Sequence, residues 1–462
     1  RKEIISLVLN ANYQQLAKRK LEVHSAILHD VYVLTDASMN IISFFTSLIL
    51  GVSCLIYLAT ISLLLFAITL GVALLGAVVY TINSKKTNLG FQKYRKLENK
   101  FLGNLTDILE GFKEITVDPK KGRYIFDNKI TPIAEESYSN NKDAFTRSLG
   151  NQVTGQVLFY MLISSVLLYF SIVLKIKASD IVSFVFTLLY LLGAIEAVMV
   201  LLPGLFRAKI ASDTMLTLRK GLEEVVSGHS LPGKYISKND FEQISVIELK
   251  YYYGDQGNSF GIGPISLDVK KGETIFIYGG NGSGKTTLIH SILGLCVPSA
   301  GEIRLNNIPV DSGNSPEYRT LFSVVFSDFH LFSELLAIDN PDMEKWNYYL
   351  RLFELEEKIK LENNSFSTTD LSTGQRKRLA LIIALLEEKP VLVIDEWAAD
   401  QDPHFRKKFY TEILPLLKED DITVIAITHD DKYYYCADKI FKMEYGLLSE
   451  ENVVTHEASF LS

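Results

Sequence analysis

Three long runs with almost no charged residues dominate the first half of the sequence and constrain its fold. Residues 37–84 and 148–174 carry no charged side chain, and Glu196 is the only one within residues 181–206. A helix that crosses a membrane needs about 20 consecutive apolar residues, so the first run is long enough for two spans joined by a tight turn. Buried helices of a soluble protein are the alternative for any one run, but the runs together favour a transmembrane bundle.

We therefore predict four spans, at about residues 39–58, 60–82, 150–174 and 180–204. An even number of spans places the two flanks on the same side of the membrane. Lysine and arginine are frequent in the opening segment and in the connection 85–147, whereas the loops on the opposite side are short. The positive-inside rule puts the connection and both ends in the cytoplasm.

The connection between the second and third spans has the pattern of long helices. Apolar residues recur at helical spacing from Phe91 to Phe112. Gly111 and the pair Asp118-Pro119 predict a break at the far end of this connection. The fold class that follows for residues 1–233 is an all-α transmembrane bundle with long cytoplasmic helical extensions.

Length and charge limit the domain count and the partners. A chain of 462 residues is too long for one ordinary domain. The net charge of −7 argues against a nucleic-acid partner, which usually leaves a basic footprint. A charged linker leads to Gly228, Pro232 and Gly233, where the composition changes, so we set a domain boundary between residues 233 and 234. The chain opens with Arg1 rather than methionine, which we interpret as a fragment boundary.

The second half contains a glycine-rich loop between a strand and a helix. Residues 274–278 lead into Gly279-Gly280-Asn281-Gly282-Ser283-Gly284-Lys285-Thr286, and a helix opens at Thr287. In this context glycines let backbone N–H groups converge on phosphate oxygens, and the helix N-terminus favours negative charge. We expect Lys285 to reach the β- and γ-phosphates of a nucleotide and the Thr286 hydroxyl to coordinate Mg²⁺.

Two further apolar strands end in polar residues. Residues 391–394 are followed by Asp395 and Glu396, a pair that a buried parallel strand does not explain by itself. Asp395 fits a partner of Mg²⁺, directly or through water, and Glu396 fits the residue that polarises an attacking water. Residues 423–427 lead to His429, which is placed to sense a γ-phosphate if this strand ends beside the glycine-rich loop.

A short polar segment, Leu371-Ser372-Thr373-Gly374-Gln375, precedes a basic and then apolar helix. By itself such a segment is ordinary helix capping. Its position between the glycine-rich loop and the Asp395-Glu396 pair indicates a role at the nucleotide.

This order of motifs resembles the nucleotide-binding domain of ABC transporters over residues 244 to about 448. The resemblance implies an α/β P-loop ATPase domain with a helical subdomain over residues 234–462, with ATP and Mg²⁺ as cofactors. It implies catalytic roles for Lys285, Glu396 and His429. The residues that it implies for nucleotide binding are Tyr253, Gly279, Asn281, Gly282, Ser283, Gly284, Lys285, Thr286, Thr287, Ser372, Gly374, Gln375 and Asp402.

Several of these residues act, by the resemblance, between two subunits. Ser372 and Gly374 would touch the ATP bound by a second copy, so that hydrolysis needs two domains arranged head to tail. Asp402 matches the loop that couples the two sites. Tyr253 matches the position whose ring stacks on adenine, with Tyr251 as a nearby competitor.

The metal site departs from the family pattern. The usual glutamine that contacts Mg²⁺ and the attacking water is missing, and Ser327 stands at that position, followed by Asp328. Either residue is a candidate to hold the metal through water, beside Thr286 and Asp395. Thr373 also stands where glycine is commoner in the family.

Finer motifs resemble the exporters of cyclic peptides and peptide siderophores, the syringomycin- and pyoverdine-secretion type. The segments that carry this resemblance are residues 322–332, 371–379 and 395–403. It implies a homodimeric, multi-pass exporter of the bacterial inner membrane with cytoplasmic ATPase domains and a peptide-like cargo. Exporters of this family have six spans per subunit, so we infer that two N-terminal spans are absent from this sequence.

Other functions stay open at this level. An ABC exporter of lipid or drug-like cargo has the same motifs, and so does a membrane-bound ABC protein with a regulatory role. Glu196 is the one ionisable residue inside a predicted span, and such residues usually face an interior or a cavity. It is either part of a substrate or proton pathway or simply a carboxylate hydrogen-bonded to a neighbour.

Overall fold

A computed structural model describes residues 1–11, 13–170, 177–223, 236–253, 260–338 and 340–451. These residues fall into two compact units, one within residues 1–225 and one consisting mainly of residues 226–462. The predicted domain boundary between residues 233 and 234 lies outside the described residues.

The first unit is helical throughout its described residues. Its α-helices are α1 (Lys2–Asn10), α2 (Tyr13–Ser25), α3 (Val31–Ile61), α4 (Leu63–Glu110), α5 (Phe112–Val117), α6 (Pro119–Ile125), α7 (Thr131–Ser165) and α8 (Ala178–Glu223). Single π-helical turns at Ala26–Asp30, Phe126–Ile130 and Val166–Phe170 join α2 to α3, join α6 to α7 and extend α7.

Four helical stretches of this unit are long and apolar enough to cross a membrane. They are Arg19–Ile61, Leu63–Ile82, Pro119–Tyr169 and Ala178–Leu222. Between 11% and 28% of their most apolar windows is buried inside the protein, so most of this apolar surface faces outward, as it does when lipid covers it. Residues 171–174 of the predicted third span lie outside the described part of the chain.

The turn between the first two stretches falls at one residue. Ser62 is extended (φ −156°, ψ 115°), and its side chain accepts a hydrogen bond from the Leu65 N–H as the N-cap of α4. The helix therefore begins at Leu63 rather than at residue 60. The apolar core on both sides of this turn includes Leu58, Leu65 and Phe184, all nearly inaccessible to solvent.

Helix α4 continues far beyond its apolar part. Its 48 residues correspond to about 70 Å at the helical rise of about 1.5 Å per residue, more than twice the thickness of a membrane core. It ends at Gly111, and α6 starts after Asp118, whose side chain accepts a hydrogen bond from the Lys120 N–H. The long helical extensions predicted from the sequence are therefore present.

The second unit is built around a six-stranded sheet with the strand order β12-β11-β3-β10-β9-β6. Its strands are β3 (Thr274–Tyr278), β6 (Phe322–Val325), β9 (Val391–Asp395), β10 (Thr423–Ile427), β11 (Lys439–Glu444) and β12 (Leu447–Glu451). All neighbours are parallel except β11 and β12. The carboxyl ends of five strands therefore lie along one edge.

A second sheet is antiparallel, with the order β2-β1-β4-β5. Its strands are β1 (Gln243–Tyr252), β2 (Gly261–Lys270), β4 (Ala300–Leu305) and β5 (Ile308–Pro309), and a separate hairpin pairs β7 (Leu361–Glu362) with β8 (Ser365–Phe366). The α-helices are α9 (Lys285–Ile292), α10 (Ser315–Arg319), α11 (Met343–Leu352), α12 (Thr373–Leu386), α13 (Pro403–Lys408) and α14 (Leu414–Glu419). Single turns of other helix types occur at Trp397–Asp400, Phe409–Ile413 and Asp431–Cys436.

The central strands are apolar because both faces of the sheet are covered. Ile275 and Ile277 of β3 pack into one apolar cluster with β1, β2 and α9. Phe276, between them, faces the opposite cluster with α11, α12 and α14. Burial of both faces explains the unbroken apolar runs of the parallel strands. The two-part architecture predicted from the sequence is confirmed, including the helical subdomain.

A buried arginine fastens the loop after β9 to α12. The guanidinium of Arg378 donates to Gln401 Oε1 (2.8 Å) and Asp402 Oδ2 (2.6 Å) and lies 3.5 Å from the ring centre of Phe405. The Asp402 carboxylate also accepts the Phe405 N–H at 2.9 Å and so caps α13. The Phe405 N–H and the Arg378 guanidinium together hold the pKa of the Asp402 carboxyl below its usual value.

We predict that Arg378→Met destabilises the second unit, because it removes the guanidinium that donates to both Gln401 and Asp402. Loss of such contacts costs about 1–3 kcal/mol, which corresponds to a fall of a few degrees in Tm for a domain of this size. The measurement is thermal unfolding of the full chain in detergent. Arg351→Met is the matched control, since Arg351 is exposed, and an equal Tm for both variants would contradict this role.

Candidate functional site

The glycine-rich loop joins β3 to α9 and has a conformation that other residues do not adopt easily. Gly279, Gly282 and Gly284 have φ values of 153°, 78° and 109°, in the range that favours glycine. A Cβ atom on Gly279 would lie 2.1 Å from the carbonyl oxygen of Met443. The loop can therefore keep this path only with glycine at these positions.

The loop presents polar groups that suit phosphate oxygens. The Lys285 ammonium is buried and donates to the carbonyl oxygens of Gly279 (2.9 Å) and Gly280 (3.2 Å). The Ser283 hydroxyl is buried and has no hydrogen-bond partner within the described part of the chain. A buried polar atom without a partner is costly, and a phosphate oxygen at the N-terminus of α9 would supply one. The residues present therefore fit the triphosphate of ATP.

The two threonines at the start of α9 differ. Thr286 is exposed on the first turn of the helix, whereas Thr287 is buried. The Thr287 hydroxyl shares a hydrogen bond of 3.1 Å with the Tyr253 hydroxyl. Thr286 is thus the threonine whose side chain is accessible to a metal ion.

Of the two tyrosines considered for adenine, Tyr253 is the accessible one. Its side chain is 45% exposed, whereas that of Tyr251 is 8% exposed. The two rings meet edge to face with centres 5.1 Å apart. Residues 254–259, which follow Tyr253, lie outside the described part of the chain.

The end of β9 brings the predicted catalytic residues together. Glu396 Oε1 lies 3.2 Å from His429 Nε2 and 4.0 Å from Lys285 Nζ. Glu396 has φ 48°, in the left-handed region, and its N–H donates to the carbonyl oxygen of Ile427. The three residues follow three different strands, and their side chains meet beside the glycine-rich loop.

Asp395 is buried next to this cluster and contacts the residue that stands at the missing glutamine's position. Ser327 Oγ donates to Asp395 Oδ2 at 3.2 Å. Burial raises the pKa of Asp395, and the Ser327 hydrogen bond opposes that rise. Asp328 is exposed on the same loop.

The donor set fits Mg²⁺ only together with phosphate. Among the described residues there is no group of three or more His, Cys, Asp or Glu side chains that could hold a metal by themselves. Mg²⁺ usually binds one or two protein oxygens along with substrate phosphates and water. Asp395 and Thr286 would supply such oxygens, with Ser327 beside them.

His290 is a residue of this site that the sequence reasoning missed. It lies on α9, where burial lowers its pKa and the nearby Asp395 and Asp328 carboxylates oppose the shift. Its ring meets that of Phe326 at 5.8 Å. The signal was available, because residues four apart on a helix share a face and His290 follows Thr286 by four.

The segment Ser372–Gln375 forms the N-terminus of α12. Ser372 and Gln375 make a reciprocal capping box, and the Gly374 carbonyl accepts from Gln401 Nε2 at 3.1 Å. A Cβ atom on Gly374 would lie 2.8 Å from the Asp400 carbonyl oxygen. No hydrogen bond or ion pair in the described ranges links this segment to the glycine-rich loop.

Lys377, which the sequence reasoning also missed, connects α12 to the end of β9. Its buried ammonium donates to the Glu396 carbonyl oxygen at 3.0 Å and pairs with Asp400 at 2.7 Å. The Lys377 carbonyl in turn accepts the indole N–H of Trp397 at 2.7 Å. A basic residue before an apolar helix gave no sequence signal for this contact, since most such residues are exposed.

Glu196 belongs to the helical unit and is half-buried. Its Oε1 accepts a hydrogen bond of 2.8 Å from Gln156 Nε2 on α7. The structure thus shows the arrangement of the second interpretation drawn from the sequence, a carboxylate that is hydrogen-bonded to a neighbour.

Comparison with known proteins agrees with this geometry. Residues 262–399 match the family described as ABC transporter. The chain is 33% identical over 409 residues to the ATP-binding protein SyrD of Pseudomonas syringae pv. syringae, covering 85% of this chain and 71% of that protein. The second unit is also 32% identical to the energy-coupling factor transporter ATP-binding protein EcfA2 of Clostridium perfringens, over 44% of this chain and 75% of that protein.

The fold of the whole chain has a solved counterpart. A bacterial Atm1-family ABC exporter, whose structure has ATP bound, superposes with a TM-score of 0.84 at 14% identity, covering 100% of this chain and 84% of that one. This likeness shows a shared fold. The similarity to SyrD over both units shows that this chain belongs to the ABC transporters, with a membrane-spanning helical region fused to an ATP-hydrolysing domain.

Proposed function

We propose that two copies of this chain form a homodimer that exports a peptide-like cargo, a cyclic peptide or peptide siderophore, across the bacterial inner membrane. The observation that supports ATP hydrolysis as the energy source is that Lys285, Glu396 and His429 lie close together beside the glycine-rich loop. The peptide cargo rests on the finer motifs of residues 322–332 and 395–403 and on the similarity to SyrD.

The reaction is the attack of water on the γ-phosphorus of ATP. The bond to the oxygen bridging the β- and γ-phosphates breaks, and ADP and inorganic phosphate are formed. Glu396 orients or deprotonates the water, and the proton ends on phosphate or solvent. Lys285 leaves the loop carbonyls to pair with the β- and γ-phosphates, and His429 donates a hydrogen bond to the γ-phosphate. Catalysis of this kind consists mainly of positioning and electrostatics.

Mg²⁺, when bound, neutralises the charge that builds on the phosphates. Thr286 and Asp395 hold it directly or through water in this proposal. Ser327 positions the Asp395 carboxylate through the hydrogen bond of 3.2 Å, and Asp328 is a further candidate to reach the metal through water. Tyr253 offers an exposed ring for the adenine.

A second copy completes the site. Ser372 and Gly374 with Gln375 lie at the start of α12, and their helix N-terminus suits the phosphates of a nucleotide held by the partner. Asp402, held by Arg378, lies in the loop that would report the state of one site to the other. The lysine and arginine residues of the connection 85–147 support a cytoplasmic location for this domain.

We predict that Glu396→Gln binds ATP but hydrolyses it at least a hundredfold more slowly. The amide keeps the shape of the side chain and cannot accept the proton of the attacking water. The measurement is phosphate release and retention of radiolabelled ATP by the reconstituted full chain. Glu419→Gln, an exposed carboxylate on α14, is the matched control. Normal ATP turnover in the Glu396 variant would contradict the role of Glu396 in activating the water.

Mixing two inactive variants tests the head-to-tail dimer. Lys285→Ala removes the phosphate contact of one subunit, and Ser372→Arg blocks the segment offered to the partner's ATP. A mixed dimer has one site with both native residues, so ATP turnover should reappear on mixing. Each variant alone serves as the baseline. Absence of recovery in co-expressed, co-purified mixed dimers would contradict sites shared between subunits.

The cargo class is tested by stimulation of ATP turnover. Synthetic cyclic peptides and peptide siderophores should raise the rate of the chain in lipid vesicles severalfold, because cargo favours closure of the ATPase domains. Phospholipids and a lipophilic drug panel are the comparison. Stimulation by a phospholipid or a drug and by none of the peptides would contradict the peptide cargo and indicate a lipid or drug-like cargo instead.

A further inference from the structure

The helical unit contains a cavity that is lined by both apolar and charged residues. It has a volume of about 200 Å³ and is lined by residues of α3, α4, α7 and α8 together with the adjoining π-helical turn. Pockets that enclose whole small ligands usually measure about 300–1,000 Å³. This cavity can therefore receive one residue of a larger ligand rather than the entire molecule.

The inner wall of the cavity is an incompletely satisfied ion pair. Asp30 is 1% exposed, and its Oδ1 accepts from Arg95 at 2.7 Å. Asp30 Oδ2 and the Nε and Nη1 atoms of Arg95 are buried without a hydrogen-bond partner in the described ranges, although Arg95 Nη1 lies 3.6 Å from Glu98. Buried charges are costly unless their remaining atoms are paired. These atoms are almost inaccessible from the cavity, so the ion pair forms its wall without offering them to a ligand.

The outer wall carries an arginine held by aromatic rings. The Arg207 guanidinium lies 5.8 Å from the ring centre of Phe91 and 5.6 Å from that of Phe145. Its side chain is exposed, and it forms no hydrogen bond or ion pair with any residue of the described ranges. Contact with ring faces leaves the N–H groups of a guanidinium available, and a carboxylate matches their fork geometry.

The charges of the cavity favour a peptide residue over a simple anion. Asp36 also lines it and would repel a free phosphate or carboxylate ion. A residue within a peptide brings an N–H donor beside its acidic side chain, so it can meet Asp36 and Arg207 together.

We propose that this cavity recognises an acidic residue of the exported peptide: the cargo carboxylate pairs with Arg207, and an adjoining amide N–H of the cargo donates to Asp36. The site rests on the proposed peptide export and adds to it a charge preference. Phe91 and Arg95 belong to the connection that charge distribution places in the cytoplasm, so the site is on the side from which cargo is loaded.

The test compares two fluorescent cyclic hexapeptides that differ only in one aspartate or asparagine. Binding to the full chain in lipid nanodiscs is measured by anisotropy. The wild type should bind the aspartate peptide about tenfold more tightly, equivalent to about 1.4 kcal/mol. Arg207→Gln should abolish this difference, and Arg207→Lys should restore part of it.

Lys209→Gln is the matched control, because Lys209 is an exposed cation on the same helix and does not line the cavity. It should keep the tenfold preference, and elution volume in gel filtration shows that each variant is folded. Equal binding of both peptides to the wild type, or an unchanged preference in Arg207→Gln, overturns the cavity's role and leaves peptide export standing. Binding of neither peptide, while ATP turnover continues, overturns the peptide cargo and this site with it.

Discussion

Parallel pairing of β3, β10 and β9 is the interaction on which the rest of the catalytic domain depends. Ile277 pairs with Ile427, and Ile427 pairs with Asp395, so the three strands end level with one another. The glycine-rich loop, Glu396 and His429 begin within two residues of these ends. Backbone hydrogen bonds therefore fix the distance between the glycine-rich loop and Glu396, which are more than 100 positions apart in the chain, and between Glu396 and His429, which are 33 apart.

The same sheet is stabilised by apolar side chains on both faces, which leaves the polar chemistry to the strand ends. Lys377 and Arg378 extend this frame to the helical subdomain. One reaches the Glu396 carbonyl and Asp400, and the other holds Gln401 and Asp402. The segment proposed to serve a partner's ATP and the strand end that carries the proposed catalytic carboxylate are thus linked by a short series of contacts. Movement of α12 would therefore change the position of Glu396.

The helical unit obeys a different constraint, because its four membrane-spanning stretches face lipid rather than water. Apolar residues are needed on the outside of these stretches, so polar groups lie between helices or near the ends of the spans. Glu196 accepts a hydrogen bond from Gln156, and Asp30 accepts one from Arg95. Arg207 lines the same cavity as the second pair but is exposed over the rings of Phe91 and Phe145, so it is the cation proposed to meet cargo.

Local composition and periodicity predict the two-part fold and the residues proposed for the ATP site, since spans and strand–loop–helix motifs are local features of a chain. The membrane stretches, the glycine-rich loop and the acidic strand end follow from them, and the spacing of His290 from Thr286 is a signal of the same kind. Only the folded chain shows that Ser327 donates to Asp395 and that Tyr253 rather than Tyr251 is accessible. These contacts depend on the packing of elements distant in sequence, where neither periodicity nor spacing carries information.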